Sequence, residues 1–545
     1  MASEEVLRKT LKNADGKPFA KYKGIQNSFT LEDFEISFDS VQNDRAGHTS
    51  VRVRVPMAKA GFPEDTRSTE SRRIALRDLI ARRFWESART HARSPIPKMD
   101  GGELFMPRPG QEILDRGSVA ITDFFVEARF TADLPCSSGK VNAAAAELLI
   151  FDRIATVVSE SMLYSSYKPS KLYAHLFTSE NADAIRAGLQ ERGFCAFVAE
   201  GSVLPRRDDE LAPMIDAVEF TCDPSLMTEF DVPNGAPIRG WGIPTGFNAI
   251  VGPSRNGKSV LADAVFAGVY NHIPGDGREY VISVPNAVFV AAETGRPADG
   301  VDLSMFMRPS DGLDTSSVTS REVPSPMSEF VSISEAVEMG SELVIMDEEY
   351  SNPCVIRKGF MDDEGSYSSV SEVGSAMGRA GISVLMVTGD ETAAKMADHV
   401  FVMKAFCIRY MDIQDRREGD PEFSMPGVRC PVSKNMGFEK GRKEVSVAAA
   451  AIRTVEIGEF KVSAPMAALF DLSQTRAIAD AIALCKDFLD GSRSMKEACQ
   501  GAVDSLRASD STEGNVSAMY HAYPRPIDVA AVLSRHPDML AIRKG

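Results

Sequence analysis

Near the start of the chain the hydrophobic residues recur at every second position. Phe34, Ile36 and Phe38 alternate with polar neighbours, and Val51, Val53 and Val55 repeat the pattern. A period of two marks strands with one buried face, so two strands are expected around a polar loop at 42–48. Over 69–90 the period changes: Leu76, Leu79, Ile80 and Phe84 fall at helical spacing, with arginine on much of the remaining surface. An amphipathic helix with a basic solvated face is expected there, and a phosphate-contacting helix is the alternative. After the loop signal Pro107-Arg108-Pro109-Gly110, residues 117–132 read as strands and 141–158 as an alanine-rich helix. A further helix is expected at 181–192, capped by Gly193, and then a β-prone apolar run over 194–204 that ends in Pro205-Arg206-Arg207.

Downstream the pattern becomes a regular alternation. Helices are expected at 328–340, 370–380 and 392–397, interleaved with strands at 343–347, 382–387 and 399–403. Such alternation builds a parallel sheet with helices on its faces, an α/β domain. No internal repeat or low-complexity stretch interrupts it.

The chemistry sits at the carboxyl ends of two of these strands. An apolar strand beginning at Gly246 runs into G-x-x-x-x-G-K-S, with Gly252, Asn256, Gly257, Lys258, Ser259 and Val260 in the loop and the helix start after it. This is a complete P-loop. Its glycines let backbone N–H groups turn toward phosphate oxygens, Lys258 reaches the β- and γ-phosphates, and the Ser259 hydroxyl can ligate Mg²⁺. The helix expected over 260–270 would aim further donors at the same phosphates. About ninety residues on, Leu343-Val344-Ile345-Met346 ends in Asp347-Glu348, the pattern of a Walker-B strand. Asp347 would hold Mg²⁺ and Glu348 would polarise the attacking water. A Gly-rich turn and a strand ending in solvated acids are the bland readings of the two segments taken singly; together they favour ATP with Mg²⁺.

Composition narrows the setting. At 545 residues, 43% hydrophobic and 25% charged, the chain has the length of two to four globular domains. A net charge of −16, from 61 Lys+Arg against 77 Asp+Glu, excludes a uniformly basic nucleic-acid coat but leaves room for a local patch. The eight cysteines are scattered without a C-x-x-C pair, which points to reduced thiols in an intracellular compartment, cytoplasmic or mitochondrial, and away from a zinc site. No apolar run approaches a membrane span, and the N-terminus has no apolar core of a signal peptide.

Several longer segments carry a resemblance: DFEISFDSVQ (33–42), GQEILDRGSVAI (110–121), FVAEGSVLPRR (197–207), GVYNHIPGDGRE (268–279), the acidic pair at 347, and DLSQTRAIADAI (471–482). Through them the chain resembles the predicted ATPases of the ABC class, a family to which the kinetoplastid mitochondrial guide-RNA-associated proteins of RNA editing are similar. The resemblance implies an α+β N-terminal domain over 1–160, an ABC-type P-loop domain over 161–440 and a small helical C-terminal domain over 441–545. It also implies RNA as a partner, and a site closed by a homodimer or by a heterodimer with a similar chain.

The departures from that family pattern matter as much. Where the family has a Ser-Gly-Ser-Thr-Ser signature loop, this chain reads Pro324-Ser325-Pro326-Met327-Ser328. Two prolines lack N–H groups, and Ser325 replaces a glycine that permits close approach. Triphosphate binding with impaired hydrolysis is therefore expected, and with the resemblance to guide-RNA-associated proteins an RNA 5′ end is a further candidate for the triphosphate. An active ATPase with an unusual signature loop and a non-enzymatic scaffold of a ribonucleoprotein assembly stand as alternatives. Glu293 lies where ABC proteins usually carry the Q-loop glutamine, and it reads equally as a solvated loop acid. Thr388-Gly389-Asp390 stands where many have a switch histidine, and His399 lies too far into the next element to replace it. For Arg206 and Arg207, and for the Pro-flanked Arg525, a structural ion pair or rigid turn competes with a partner contact. Gly275-Asp276-Gly277-Arg278 reads as a turn first.

Overall fold

A computed structural model describes residues 2–44, 47–91, 101–207, 212–309, 314–358, 367–419, 423–433, 436, 439–440, 443–444, 446–465, 469–512 and 514–543. Its contacts divide the chain into two compact units, Met1–Ser179 with Arg507–Tyr523, and Glu180–Leu506 with Pro524–Gly545.

In the first unit the period-two segments form the strands Glu35–Ser40 and Thr49–Pro56, antiparallel partners with Ile36 opposite Val53 and Phe38 opposite Val51. Positions 45–46 of the intervening loop lie outside the described residues. The strand Phe125–Ala132 extends the sheet along the whole of Thr49–Pro56. The helix Glu70–His91 packs on it, Phe84 meeting Phe130 at 4.8 Å between ring centroids. Most of the arginines on this helix are engaged within the unit: Arg73 and Arg77 pair with Glu70, Arg82 with the fully buried Asp78, and Arg83 with Glu86. Ion pairing thus accounts for four charges of the face expected to be solvated. The alanine-rich helix appears as Ala143–Leu148 and Ala155–Ser161 joined by a π-helical stretch, Leu149–Ile154.

One expected helix, which begins in the first unit and ends in the second, has different bounds. It runs over Pro169–Gly188 and not from 181, with Pro169 at the first helical position, where its missing N–H costs nothing. Gly193 closes the following 3₁₀ turn in the left-handed conformation (φ 73°). In the second unit a seven-stranded sheet forms the frame, in the order Thr221–Cys222, Cys407–Tyr410, His399–Lys404, Phe247–Val251, Ser383–Val387, Leu343–Asp347, Ala287–Val290. The five strands from His399–Lys404 to Ala287–Val290 are mutually parallel, as the alternation predicts. Leu343–Met346 are wholly buried, which is why that strand reads as an unbroken apolar run. A four-stranded antiparallel sheet, Met227–Phe230, Ile238–Pro244, Phe194–Ala199 and Val281–Ser283, belongs to the same unit.

Toward the C-terminus lie the helices Leu472–Cys485, Met495–Asp510 and Pro526–Leu533. To these the structure adds a three-stranded antiparallel sheet, Val447–Ala451, Thr454–Ile457 and Phe460–Ser463. Among the described residues no helix is long and apolar enough to cross a membrane.

Candidate functional site

The register of the parallel sheet brings the acidic and phosphate-binding motifs to one edge. Ile250 is opposite Val387, and Val387 is opposite Asp347, so the three strand ends are level. With strands about 4.8 Å apart, Asp347 lies roughly 10 Å across the sheet from the start of the P-loop. This is the carboxyl edge, where open parallel sheets hold ligands.

The loop itself has the conformation its glycines permit. Gly252 (φ 137°) and Gly257 (φ 95°) both occupy positive φ. A Cβ on Gly252 would run into the Met403 carbonyl oxygen, and one on Gly257 would come within 2.5 Å of the Phe406 ring. The helix Lys258–Ala267 opens at Gly257, and Leu261 N–H is the first to find an intrahelical acceptor, donating to the Gly257 carbonyl at 2.8 Å. The N–H groups of Lys258, Ser259 and Val260 have no acceptor inside the helix and stay available to a ligand. Lys258 Nζ donates to the carbonyls of Gly252 (2.9 Å) and Pro253 (3.0 Å), closing the loop on itself.

Asn256 does something its place in the motif did not indicate. Its Oδ1 accepts from Ala405 N–H at 2.8 Å, and its carbonyl accepts from Phe406 N–H at 3.3 Å. Ala405 (φ 49°) and Phe406 (φ 59°) form the two-residue turn between His399–Lys404 and Cys407–Tyr410, both left-handed without being glycine. The Asn256 side chain and carbonyl thus hold the hairpin tip against the P-loop.

Asp347 is fully buried. One of its oxygens accepts from Glu349 N–H (3.0 Å), and Oδ2 has no hydrogen-bond partner among the described residues. A buried carboxylate oxygen left over in this way suits a cation, and with the Ser259 hydroxyl it supplies the hard oxygen donors that Mg²⁺ takes. Glu348 is exposed, and its Oε2 accepts from Thr388 Oγ1 (3.0 Å) and Gly389 N–H (2.6 Å). Thr388-Gly389 thus holds the carboxylate of Glu348 from the neighbouring strand end. His399 pairs in register with Asn248, three residues back from Val251 along the strand, which sets it away from the carboxyl edge.

Glu293 is neither a solvated loop acid nor free for a nucleotide. Arg535 donates to both of its oxygens (Nε to Oε2, 2.8 Å), and Arg296 lies 3.5 Å from Oε1. Burial acts to raise its carboxyl, but the neighbouring arginines and the Ser332 hydroxyl outweigh it and hold the carboxyl below its usual value. The cluster continues through Arg296 to Glu335, and through Arg429 to Glu335 and Glu338. The Glu293 main chain bears on the signature region as well, its N–H donating to Ser328 Oγ at 2.9 Å.

The residues expected to form a loop at 324–328 are a helix start. Pro324 is the N-cap of Ser325–Glu338, and Pro326 lies in the first turn. Ser328 is buried and its hydroxyl donates to the Ser325 carbonyl. Only Ser325 and Met327 still present first-turn N–H groups. One turn on, the buried Glu329 accepts from Asn352 N–H (2.8 Å), just past the acidic pair. Burial pushes its carboxyl up to about 7, against the hydrogen bond from Asn352. A folded-state value above the unfolded one means this group stabilises the fold fully only below about pH 4.5, and that contribution is lost as pH rises toward 7. Glu329→Gln, which stays neutral, should therefore stabilise the protein by on the order of 2 kcal/mol at pH 8 and by almost nothing near pH 4.5. Paired denaturant titrations at the two pH values check this, and an equal effect at both would overturn it.

Arg206, the 275–278 turn and Arg525 are engaged structurally. Arg206 pairs with the buried Asp276 at 2.6 Å, and Arg278 donates to the Leu204 carbonyl at 2.9 Å, so the 275–278 turn is locked from within. Arg525 pairs with Asp528 at 2.7 Å and caps its own helix.

Fold, P-loop and aligned acid define a P-loop nucleotide-binding protein of the α/β class. Three family models tile the chain: the N-terminal domain of ATPases of the ABC class over 4–165, the ABC ATPase P-loop domain over 168–422, and the MRB1590 C-terminal domain over 446–540. The chain belongs to the ABC class of P-loop ATPases. It is 22% identical over 253 residues to an uncharacterised protein of Methanocaldococcus jannaschii, a match covering 44% of this chain and 56% of that protein. Among solved structures it is similar to cbiO1 of Clostridium perfringens, part of the ABC transporter complex cbiONQ (15% identity, TM-score 0.23, 40% of this chain and 88% of that one). A second is the ATP-binding cassette MJ0796 in a dimeric, ADP- and Pi-bound state (12% identity, TM-score 0.21, 35% and 97%).

Proposed function

We propose that this protein binds Mg·ATP at 252–259 and uses the bound triphosphate to set a conformation around an RNA partner, with slow hydrolysis. The observation that carries the reading is the level placement of the P-loop start and the buried, half-unpartnered Asp347 at one sheet edge. Lys258 exchanges the Gly252 and Pro253 carbonyls for phosphate oxygens, while the N–H groups of Lys258, Ser259 and Val260 receive the same phosphates. Ser259 and Asp347 would hold the metal, whose charge would neutralise that of the phosphates. Glu348 orients the attacking water from its place on Thr388 and Gly389.

A second copy, or a similar chain, closes the site with the helix start at Ser325. Because that start offers two N–H donors and no serine hydroxyl at position 324, hydrolysis is slow. The active-ATPase reading keeps those same two donors in its favour. The resemblance to guide-RNA-associated proteins, with the C-terminal match over 446–540, supports RNA as partner. A P-loop grips phosphates and is indifferent to much of the molecule that bears them, so a 5′-triphosphate RNA end is a second occupant.

The test is ATP binding and turnover side by side, with and without RNA, on the intact protein and on Lys258→Ala. Lys258-dependent binding with turnover no higher than the variant's supports the reading; brisk Lys258-dependent turnover replaces it with the active ATPase. Equal binding of 5′-triphosphate and 5′-hydroxyl RNA removes the RNA-end occupant.

A further inference from the structure

A cavity of about 800 Å³, its mouth included, opens in the P-loop unit away from the phosphate loop. The strand Ala287–Val290 lines one side, and the helices Ser325–Glu338 and Pro526–Leu533 contribute much of the rest. Its mostly apolar lining, with a few charged groups converging on it, is that of small-molecule sites.

Three features fix what it would take. First, the ionisable lining is balanced: Arg429, Arg525 and Arg535 face Glu293, Glu335 and Asp528, each side engaged in the ion pairs already described. A charged occupant would leave a net charge in a half-closed space, so an uncharged one fits. Second, Ala287–Val290 is the edge strand of the seven-stranded sheet, and an edge strand presents a row of unused N–H and C=O groups. Arg525 Nη1 covers the start of that row, donating to the carbonyls of Pro285 (2.9 Å) and Ala287 (2.8 Å). Ala292 N–H turns the other way, to Tyr350 O at 2.8 Å. By the alternation of a strand, Phe289 and Ala291 therefore turn their main-chain groups to the open edge, where both line the cavity. Neither has a hydrogen-bond partner on that side among the described residues. Third, Phe266 and Phe289, whose ring centroids are 6.2 Å apart, supply aromatic surface beside this row.

We propose that this cavity binds an uncharged, flat molecule whose edge carries an adjacent hydrogen-bond donor and acceptor, read by the main chain of Phe289 and Ala291. An amide-edged heterocycle is the chemical class. The occupant would bridge the sheet edge to the helix that begins at the signature position, on ground separate from the phosphate loop.

Quinazolin-4(3H)-one, neutral and bicyclic with a lactam edge, is the probe, and its 3-methyl derivative lacks the donor. Binding to the full chain is followed by ligand-observed NMR titration, with and without saturating Mg·ATP, and repeated on Ala531→Phe, which fills the cavity from a half-buried position. The expected result is saturable binding that ATP does not displace, weakened at least about fivefold by the methyl group and about tenfold by Ala531→Phe. Absence of saturable binding, equal binding of the methylated probe, or displacement by ATP would overturn the proposal. The methylated probe needs no variant, so the test stands even if Ala531→Phe folds poorly.

Discussion

Lys258→Ala lowers affinity for Mg·ATP by at least about a hundredfold, while thermal stability without nucleotide stays close to that of the parent protein. The two effects separate because, among the described residues, Lys258 Nζ has two neutral carbonyl partners, both in its own loop. Losing those costs little, since each neutral hydrogen bond is worth about 1 kcal/mol net. With triphosphate bound, the same ammonium makes charge-assisted contacts to phosphate worth about 1.5–3 kcal/mol each, and two of them amount to two or more decades in affinity. Equilibrium titration with a fluorescent ATP analogue, beside a nucleotide-free melt, reads both quantities. Unchanged affinity would remove the P-loop from the proposed function.

The second large effect is a gain. Replacing Pro324→Ser, Ser325→Gly and Pro326→Ser together should raise steady-state ATP turnover by about 10²–10³-fold, with little change in ATP affinity. A donor aimed at the charge developing in a transition state is commonly worth a factor of that size. The triple change returns one N–H to the first helical turn, returns a hydroxyl at the N-cap and removes a Cβ from the approach. The helix tolerates it, because Pro324 is only the N-cap, a position that favours serine. Phosphate release measured at saturating ATP decides the matter. Turnover that stays at the level of the Lys258→Ala background would mean that the 324–328 segment is not what limits hydrolysis.

The parts of this molecule legible in the sequence are those encoded by neighbours. The P-loop is eight consecutive residues between an apolar strand and a helix, and the Asp347 strand is an apolar run with an acid at its end. Each motif therefore carries its own evidence, and the alternation of elements supplies the parallel sheet that makes the two level. What the sequence hides are pairings across long separations. Glu293 and Arg535 are 242 residues apart, and a lone glutamate in a loop looks the same whether water or a guanidinium faces it. Asn256 sits inside a phosphate-binding motif, but its side chain is spent on a hairpin tip 149 residues away. The helix over Pro169–Gly188 was readable only in its second half, because its first half carries Tyr173, His175, Phe177 and Thr178, residues with little helical preference. The prolines at 324 and 326 suggest a break, yet both sit where a helix can begin.

The embrace of Glu293 by Arg535 also constrains how this lineage can change. A glutamine at 293 would resemble the common ABC arrangement more closely, but it would strand a guanidinium that is only 7% exposed. The reverse order, losing the arginine first, leaves a half-buried carboxylate facing Arg296 alone. Position 293 can change cheaply only together with Arg535, just past the last helix, so the C-terminal segment constrains the loop it grips.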